Sequence, residues 1–227
     1  MGHDSIDEPV LYFLGKGQKQ KMEVSMIKKI VDDVMPQMIS DRRHLHKHPE
    51  LSFEEYQTTE FLCRELEAAG IEDIRRPVKT GVVAVIHGVY PGKTVAIRAD
   101  IDALPIQEKN ELEFCSVNDG VMHACGHDGH AAMLLAAARI FEQHKDELHG
   151  SIVCIFQHAE EVPPGGAQEL YEAGVMEGVD ELYGLHLSSN FPTGTYGVRA
   201  GALTSATDRF DIRVIGKGGH SSMPEQS

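Results

Sequence analysis

Three histidines, a cysteine and an aspartate fall within eight residues, in His123-Ala-Cys125-Gly-His127-Asp128-Gly-His130. Imidazole and thiolate are ligands that zinc and other transition metals favour. The string stands just before an Ala/Leu-rich run, and a helix N-terminus favours the thiolate form of a cysteine. Its glycines let the backbone fold ligands inward. A lone cysteine is more often a small core residue, and Asp128 is equally suited to capping a helix. The density of donors is what points to a metal. A second cluster, Gln157-His158-Ala-Glu160-Glu161, follows an apolar run directly. Neighbouring glutamates usually form a solvated face. Metal-assisted hydrolysis, however, needs one carboxylate to hold a cation and one to take a proton from water. Adjacent side chains can divide those tasks. In Arg98-Ala-Asp100-Ile-Asp102 two acids point the same way if the strand persists, which suits them to orient a ligand histidine from behind. Alone, that string reads as the start of a loop. Gly184-Leu-His186 closes another apolar run, and a single histidine there is more often structural.

Three of these polar strings end a short apolar run, and the 123–130 string precedes a longer one. Val82–Ile86, Thr94–Arg98, Ser151–Phe156 and Glu181–Leu185 read as strands, with further candidates at Thr195–Val198 and Arg209–Ile215. Helices are expected from Met26 through a stripe of Ile27, Ile30, Val31, Val34, Met35, Met38, Ile39 and Leu45, with Pro36 as a kink. Others are expected at about Phe53–Ala69, stopped by Gly70, at Asp128–Phe141 and at Gln168–Ala173. Strands alternating with helices argue for an α/β fold, a mostly parallel sheet sandwiched by helices. In such sheets functional groups gather at the carboxyl ends of the strands, which is where the four clusters fall. Residues 1–25 show no period and read as a poorly ordered extension.

The bulk properties narrow the partners. The 227 residues carry a formal net charge of -14, with 41% hydrophobic and 25% charged residues, as in a soluble globular protein. An acidic surface repels nucleic-acid phosphates and anionic membranes. Cys63, Cys115, Cys125 and Cys154 form no CxxC pair, so a reducing, cytoplasmic setting is the expectation. The longest apolar run near the start, Val10–Leu14, is too short for a signal-peptide core or a membrane span.

Taken together, the strings resemble the aminoacylase/carboxypeptidase-type metallopeptidase family, and within it the hippurate hydrolase and auxin–amino acid amidohydrolase branch. The resemblance is carried by Arg42-Arg-His-Leu-His46 with His48-Pro-Glu-Leu-Ser52, Ile97-Arg-Ala-Asp-Ile-Asp-Ala-Leu-Pro105 and the 123–130 string. It continues in Gln157-His-Ala-Glu-Glu161 with Pro164-Gly-Gly-Ala167, Gly184-Leu-His186 and Gly216-Lys-Gly-Gly-His-Ser-Ser-Met-Pro224. It implies two divalent metal ions, of zinc, manganese, cobalt or nickel. Cys125 would bridge them, His127 and His186 would complete one site, and Glu161 would serve the other. Glu160 would be the general base and Asp102 a supporting acid. Asp100 stands where carboxypeptidase relatives place a ligand histidine, and is not assigned as a ligand. His220 would be the lid histidine that polarises the scissile carbonyl. Without the resemblance it reads as a turn residue in a Gly-rich hairpin.

The implied activity is hydrolysis of N-acyl amino acids, hippurate-like or N-acetyl, to a carboxylic acid and a free amino acid. The implied organisation is an extension over 1–25, a catalytic portion over 26–205 and the start of a small α/β lid domain over 206–227. Family members continue past this point and supply a final ligand histidine, so weak binding of the second metal is expected here. A homodimer is implied for the full-length protein. The alternatives are an aminopeptidase or dipeptidase of the same family, against which Cys125 argues, and a non-catalytic metal-binding remnant.

Overall fold

The computed structural model describes residues 12–13, 20–21, 24–203 and 210–223. Most of the expected extension 1–25 therefore lies outside the described residues. Within it, strands β1 (Tyr12–Phe13) and β2 (Gln20–Lys21) pair antiparallel. Two compact units divide the chain, the first ending at Leu187 and the second beginning at Ser188.

The first unit is built on a five-stranded sheet. Its strands are β3 (Asp73–Arg75), β4 (Val82–His87), β5 (Tyr90–Asp100), β6 (His149–Gln157) and β7 (Glu181–Gly184), in spatial order β3-β4-β6-β5-β7. Helices α1 (Val24–Lys47), α2 (Tyr56–Ala68), α3 (His127–Gln143) and α4 (Gly166–Glu172) complete it. Period-two patterning sorts the sheet residues to two faces. Val82, Ala84 and Ile86 of β4, with Ile152, Cys154 and Phe156 of β6, join Leu62, Leu66 and Leu135 of α2 and α3 in the larger core. Val83, Val85, Val153 and Ile155 face the other way and pack with Leu170 of α4. The expected sandwich is thus present. Its sheet is mixed rather than mostly parallel, because β3-β4 and β4-β6 pair antiparallel while β6-β5 and β5-β7 pair parallel.

The parallel half positions the site. Asp100 lies opposite Gln157, and Arg98 opposite Gly184. The chain therefore leaves β5, β6 and β7 at the same end of the sheet, carrying Asp102, Glu160–Glu161 and His186 with it. Behind this half, Arg139 of α3 pairs with Asp41 of α1 and, at 2.9 Å, with Glu65 of α2. That tie fixes the helix that begins at His127.

Some boundaries differ from expectation. Helix α1 runs on through Pro36, and its stripe is graded, with Leu45 buried and Val31 and Ile39 exposed. Helix α2 starts at Tyr56 rather than Phe53, because Phe53 has a φ of 66° that no helix accommodates. Gly70, at φ 88°, ends it as expected. The second unit has no strand among its described residues. Thr195–Val198 is not one, and Arg209 lies outside the described residues while 210–215 belong to no strand. A strand exists only where a neighbour takes its backbone bonds. Here Tyr196, Val198, Phe210, Ile212 and Val214 are all exposed.

Candidate metal centre

His127 is the hub. It opens α3 after Gly126, whose φ of 89° makes the sharp turn that the glycine allows. Its ring is fully buried. Nδ1 lies 3.1 Å from Asp102 Oδ1 and 3.0 Å from the Asp102 carbonyl oxygen, so Nδ1 carries the proton and donates it. That leaves Nε2 with a free lone pair. Nε2 is buried and has no hydrogen-bond partner, and neither has Glu161 Oε1, which lies 3.8 Å away. Two acceptors facing each other without a proton between them repel, unless a cation joins them.

Further donors surround this pair. Cys125 Sγ lies 3.3 Å from His186 Nε2. His186 Nδ1 donates to the Leu187 carbonyl at 2.6 Å, so its Nε2 is also an acceptor. Three groups have ligand atoms within 4.8 Å of one another: Cys125, His127 and His186; His127, Glu160 and Glu161; and Asp100, His127 and His130. His127 belongs to all three. In the third, His130 is already spent, because Nδ1 donates to Asp100 Oδ1 at 2.6 Å and Nε2 accepts the Leu187 N–H at 2.9 Å. The first two groups supply thiolate, imidazole and carboxylate, a set suited to borderline divalent metals.

The electrostatics agree. Burial, then Glu161, Asp100 and Glu160, push the Cys125 thiol up to about 12. A thiolate there needs a cation beside it. Burial would raise the Asp102 pKa, but bonds from His127, the Glu161 N–H and Ser52 outweigh it and hold the acid at about 2. Asp102 thus stays ionised, orienting His127 through one oxygen and holding the Glu161 backbone through the other at 3.0 Å. Asp100 is likewise lowered: burial works against it, and His130, Arg98 and His127 prevail.

Six of the seven residues singled out in the sequence therefore gather at one end of the sheet: Asp102, Cys125, His127, Glu160, Glu161 and His186. Glu160 is exposed there and Glu161 half-buried. His220 belongs to the second unit, where its Nδ1 lies 2.7 Å from Ser222 Oγ in a turn closed by the Met223 N–H on its carbonyl. Asp128, left open between ligand and cap, is neither within the described residues. It makes no capping bond and accepts Arg42 Nε at 2.9 Å and His46 Nδ1 at 2.9 Å. Ser52 was not singled out for the site, yet its hydroxyl donates to Asp102 Oδ2 at 2.7 Å. His130, a histidine of the 123–130 string that was given no separate role, ties Asp100 to the residue after His186. Only the long-range pairing shows either role.

A site of this kind suits divalent metal ions, and comparison with known proteins gives the family. Residues 96–224, more than half of the chain, match Peptidase family M20/M25/M40. The chain belongs to that family. It is 55% identical over 201 residues to an N-acyl-L-amino acid amidohydrolase of Geobacillus stearothermophilus, covering 88% of this chain and 54% of the relative. It is 49% identical over 191 residues to an N-acetylcysteine deacetylase of Bacillus subtilis, covering 84% and 50%. An IAA-amino acid hydrolase of Arabidopsis thaliana is 41% identical over 194 residues, with 86% and 44% covered. The crystal structure of a dinuclear metal-binding M20 peptidase of Bacillus subtilis superposes with a TM-score of 0.71 at 48% identity, over 75% of this chain and 48% of the other. The chain thus spans about half the length of the curated relatives it matches.

Proposed function

We propose that this protein is a metal-dependent amidohydrolase that cleaves N-acyl amino acids, hippurate-like or N-acetyl, to a carboxylic acid and a free amino acid. The observation that carries it is the pair of buried, unpartnered acceptors His127 Nε2 and Glu161 Oε1, 3.8 Å apart, with Cys125 and His186 beside them. Cys125, His127 and His186 would hold one cation and Glu161 the other, with Cys125 shared. Two divalent ions, of zinc, manganese, cobalt or nickel, would supply Lewis acidity toward a carbonyl and lower the pKa of water.

The chain's own residues do the rest. Asp102 fixes the tautomer of His127 and the backbone of Glu161. The exposed Glu160 carboxylate accepts the proton of the attacking water and returns it to the leaving nitrogen. The water oxygen joins the acyl carbon as the C–N bond breaks. His220 polarising the acyl carbonyl is part of the same proposal. So are a catalytic portion over 26–205, a lid beginning at 206, a homodimer of the full-length protein and a cytoplasmic setting. The four cysteines, all free, support the last. Among the described residues no helix is long and apolar enough to cross a membrane. The activities named for the amidohydrolase and deacetylase relatives support N-acyl substrates over free peptides.

The test is a panel of N-acetyl and N-benzoyl amino acids with the metals restored. The parent chain hydrolyses members of the panel. Glu160→Gln loses roughly 10²–10⁴-fold in kcat while metal content is unchanged. A parent chain inert to the whole panel, or a Glu160→Gln variant as fast as the parent, overturns the reading.

A further inference from the structure

Between the end of β6 and the two glutamates stands Ala159, with a φ of 46°. Residues other than glycine seldom adopt that conformation, and they persist in it only where the surroundings hold them. Ala159 is fully buried and held on both sides. Its carbonyl accepts the Gly166 N–H at 2.8 Å. Gly166 can approach because it lacks a side chain, as a Cβ there would lie 2.1 Å from the His158 carbonyl oxygen. The Ala159 N–H donates to Glu55 Oε1 at 2.8 Å.

Glu55 is itself unusual. It stands at the N-cap of α2 and makes no capping bond with its side chain. Instead its carboxylate is entirely buried and reaches a backbone 104 residues away. Its other oxygen accepts the Thr80 hydroxyl at 2.8 Å. No cation is paired with it among the described contacts, and burial outweighs the bonds from the Ala159 N–H, its own N–H and Thr80, so its pKa is raised. Two residues further on, Asp102 Oδ2 accepts the Glu161 N–H at 3.0 Å. Two buried carboxylates therefore grip the N–H groups on either side of Glu160.

We propose that Glu55 is a positioning residue, which holds Ala159 in its left-handed conformation and so turns Glu160 and Glu161 toward His127. This rests on the reading of the metal centre given above. It assigns Glu55 a part in the site although it touches none of the donors.

Cobalt(II) titration of the full chain, followed by the d–d absorption band, tests it beside thermal unfolding. Glu161→Gln serves as the control and weakens cobalt binding. Glu55→Met leaves the Ala159 N–H buried without an acceptor and weakens cobalt binding by about 10–100-fold. Glu55→Gln stays close to the parent, because its amide oxygen accepts from Ala159 and its NH2 donates to Thr80. Adding Ala159→Gly to Glu55→Met restores most of the lost affinity, since glycine takes a positive φ without being held there. A purely structural Glu55 would lower the unfolding temperature and leave cobalt affinity unmoved, or would gain nothing from Ala159→Gly. Either result overturns the proposal. Should Glu55→Met not fold, Glu55→Asp carries the same comparison with a shorter reach. If Glu161→Gln leaves cobalt binding intact, the metal centre itself is misread and the role of Glu55 falls with it. If Glu161→Gln weakens binding and Glu55→Met does not, only the role of Glu55 fails.

Discussion

His127 and Asp128 are consecutive residues of α3, and their side chains enter two different polar clusters. Around Asp128 the charges answer one another. His46 lies 2.9 Å from Asp128 Oδ2 through Nδ1 and 3.1 Å from Glu108 Oε1 through Nε2. A ring between two carboxylates donates from both nitrogens only as an imidazolium. Arg42 adds a second cation on Asp128. Glu108 takes further bonds from the Ser116 N–H and Asn110. Around His127 the balance runs the other way. Asp100, Asp102, Glu160, Glu161 and the Cys125 thiol face one arginine and histidines whose remaining lone pairs point inward. The first cluster pairs each carboxylate with a cation, although Asp128 Oδ1 keeps no hydrogen-bond partner, and the second asks for cations. Burial and residue type alone do not tell them apart. The balance of cations against carboxylates does. Beside the first cluster, His123 keeps both ring nitrogens buried without a hydrogen-bond partner, and burial drives its pKa to about 4, so its ring is neutral.

The largest expected effect separates the two clusters by metal affinity. His127→Ala removes the donor common to all three ligand groups. Its loss of cobalt or zinc affinity is expected to exceed the roughly 10–100-fold seen for residues that merely support a ligand. His46→Gln in the other cluster leaves affinity near that of the parent. Equilibrium titration of both variants checks this, and a His46→Gln variant that loses metal as His127→Ala does would erase the distinction.

A smaller effect separates them by stability. His46→Gln removes the cation from between two buried carboxylates, and breaking such a pair costs about 3 kcal/mol. Urea unfolding of the metal-free chain measures it. In the same metal-free state His127→Ala costs less, because it also relieves the facing acceptors at Glu161. If the two variants reverse that order, the cluster around Asp128 is not the one that carries stability.

How much of this was legible in the sequence follows from where each signal resides. Asp102, Glu160, Glu161 and His186 follow apolar runs, the parallel register of β5, β6 and β7 brings those ends together, and Cys125 and His127 stand at the start of the Ala/Leu-rich α3. Their gathering is thus a consequence of topology that period-two patterning already implies. Ser52 and Glu55 could not be placed that way. Their partners lie 50 and 104 residues on, and nothing local marks a serine or glutamate as aimed at a distant backbone. Strand β3, three residues long, is too short to show a period. The segments 195–198 and 210–215 fail for the opposite reason. Their apolar content is that of a strand, yet among the described residues they join no sheet. Asp128 was left between ligand and cap because His46 and Arg42, more than eighty positions earlier, decide its role.

The smallest effect is a pH profile to which the charge-balanced cluster contributes on both limbs. His46 is raised above 6.5, chiefly by its bond to Asp128 and despite burial. Its contribution to stability is therefore complete below 6.5 and is lost as pH rises through the folded value. Burial alone would raise Glu108, but the Ser116 N–H, Asn110 and His46 hold it at about 2 against an ordinary 4.5. Its contribution is complete above 4.5 and is lost as pH falls toward 2. The two limbs meet in a plateau between 4.5 and 6.5. Thermal unfolding of the chain with a chelator present, from about pH 3 to about pH 9, checks the shape. His46→Gln makes the alkaline limb shallower, and the part that His127 contributes remains. Glu108→Gln makes the acid limb shallower, because Asp100, Asp102 and Asp128 are also lowered, and leaves part of the alkaline one, because Asp128 still holds His46. A parent chain whose unfolding temperature climbs through pH 6.5 would mean that His46 is neutral in the folded state. The cluster around Asp128 would then hold a surplus of negative charge like the one around His127, and the balance of cations against carboxylates could no longer distinguish them.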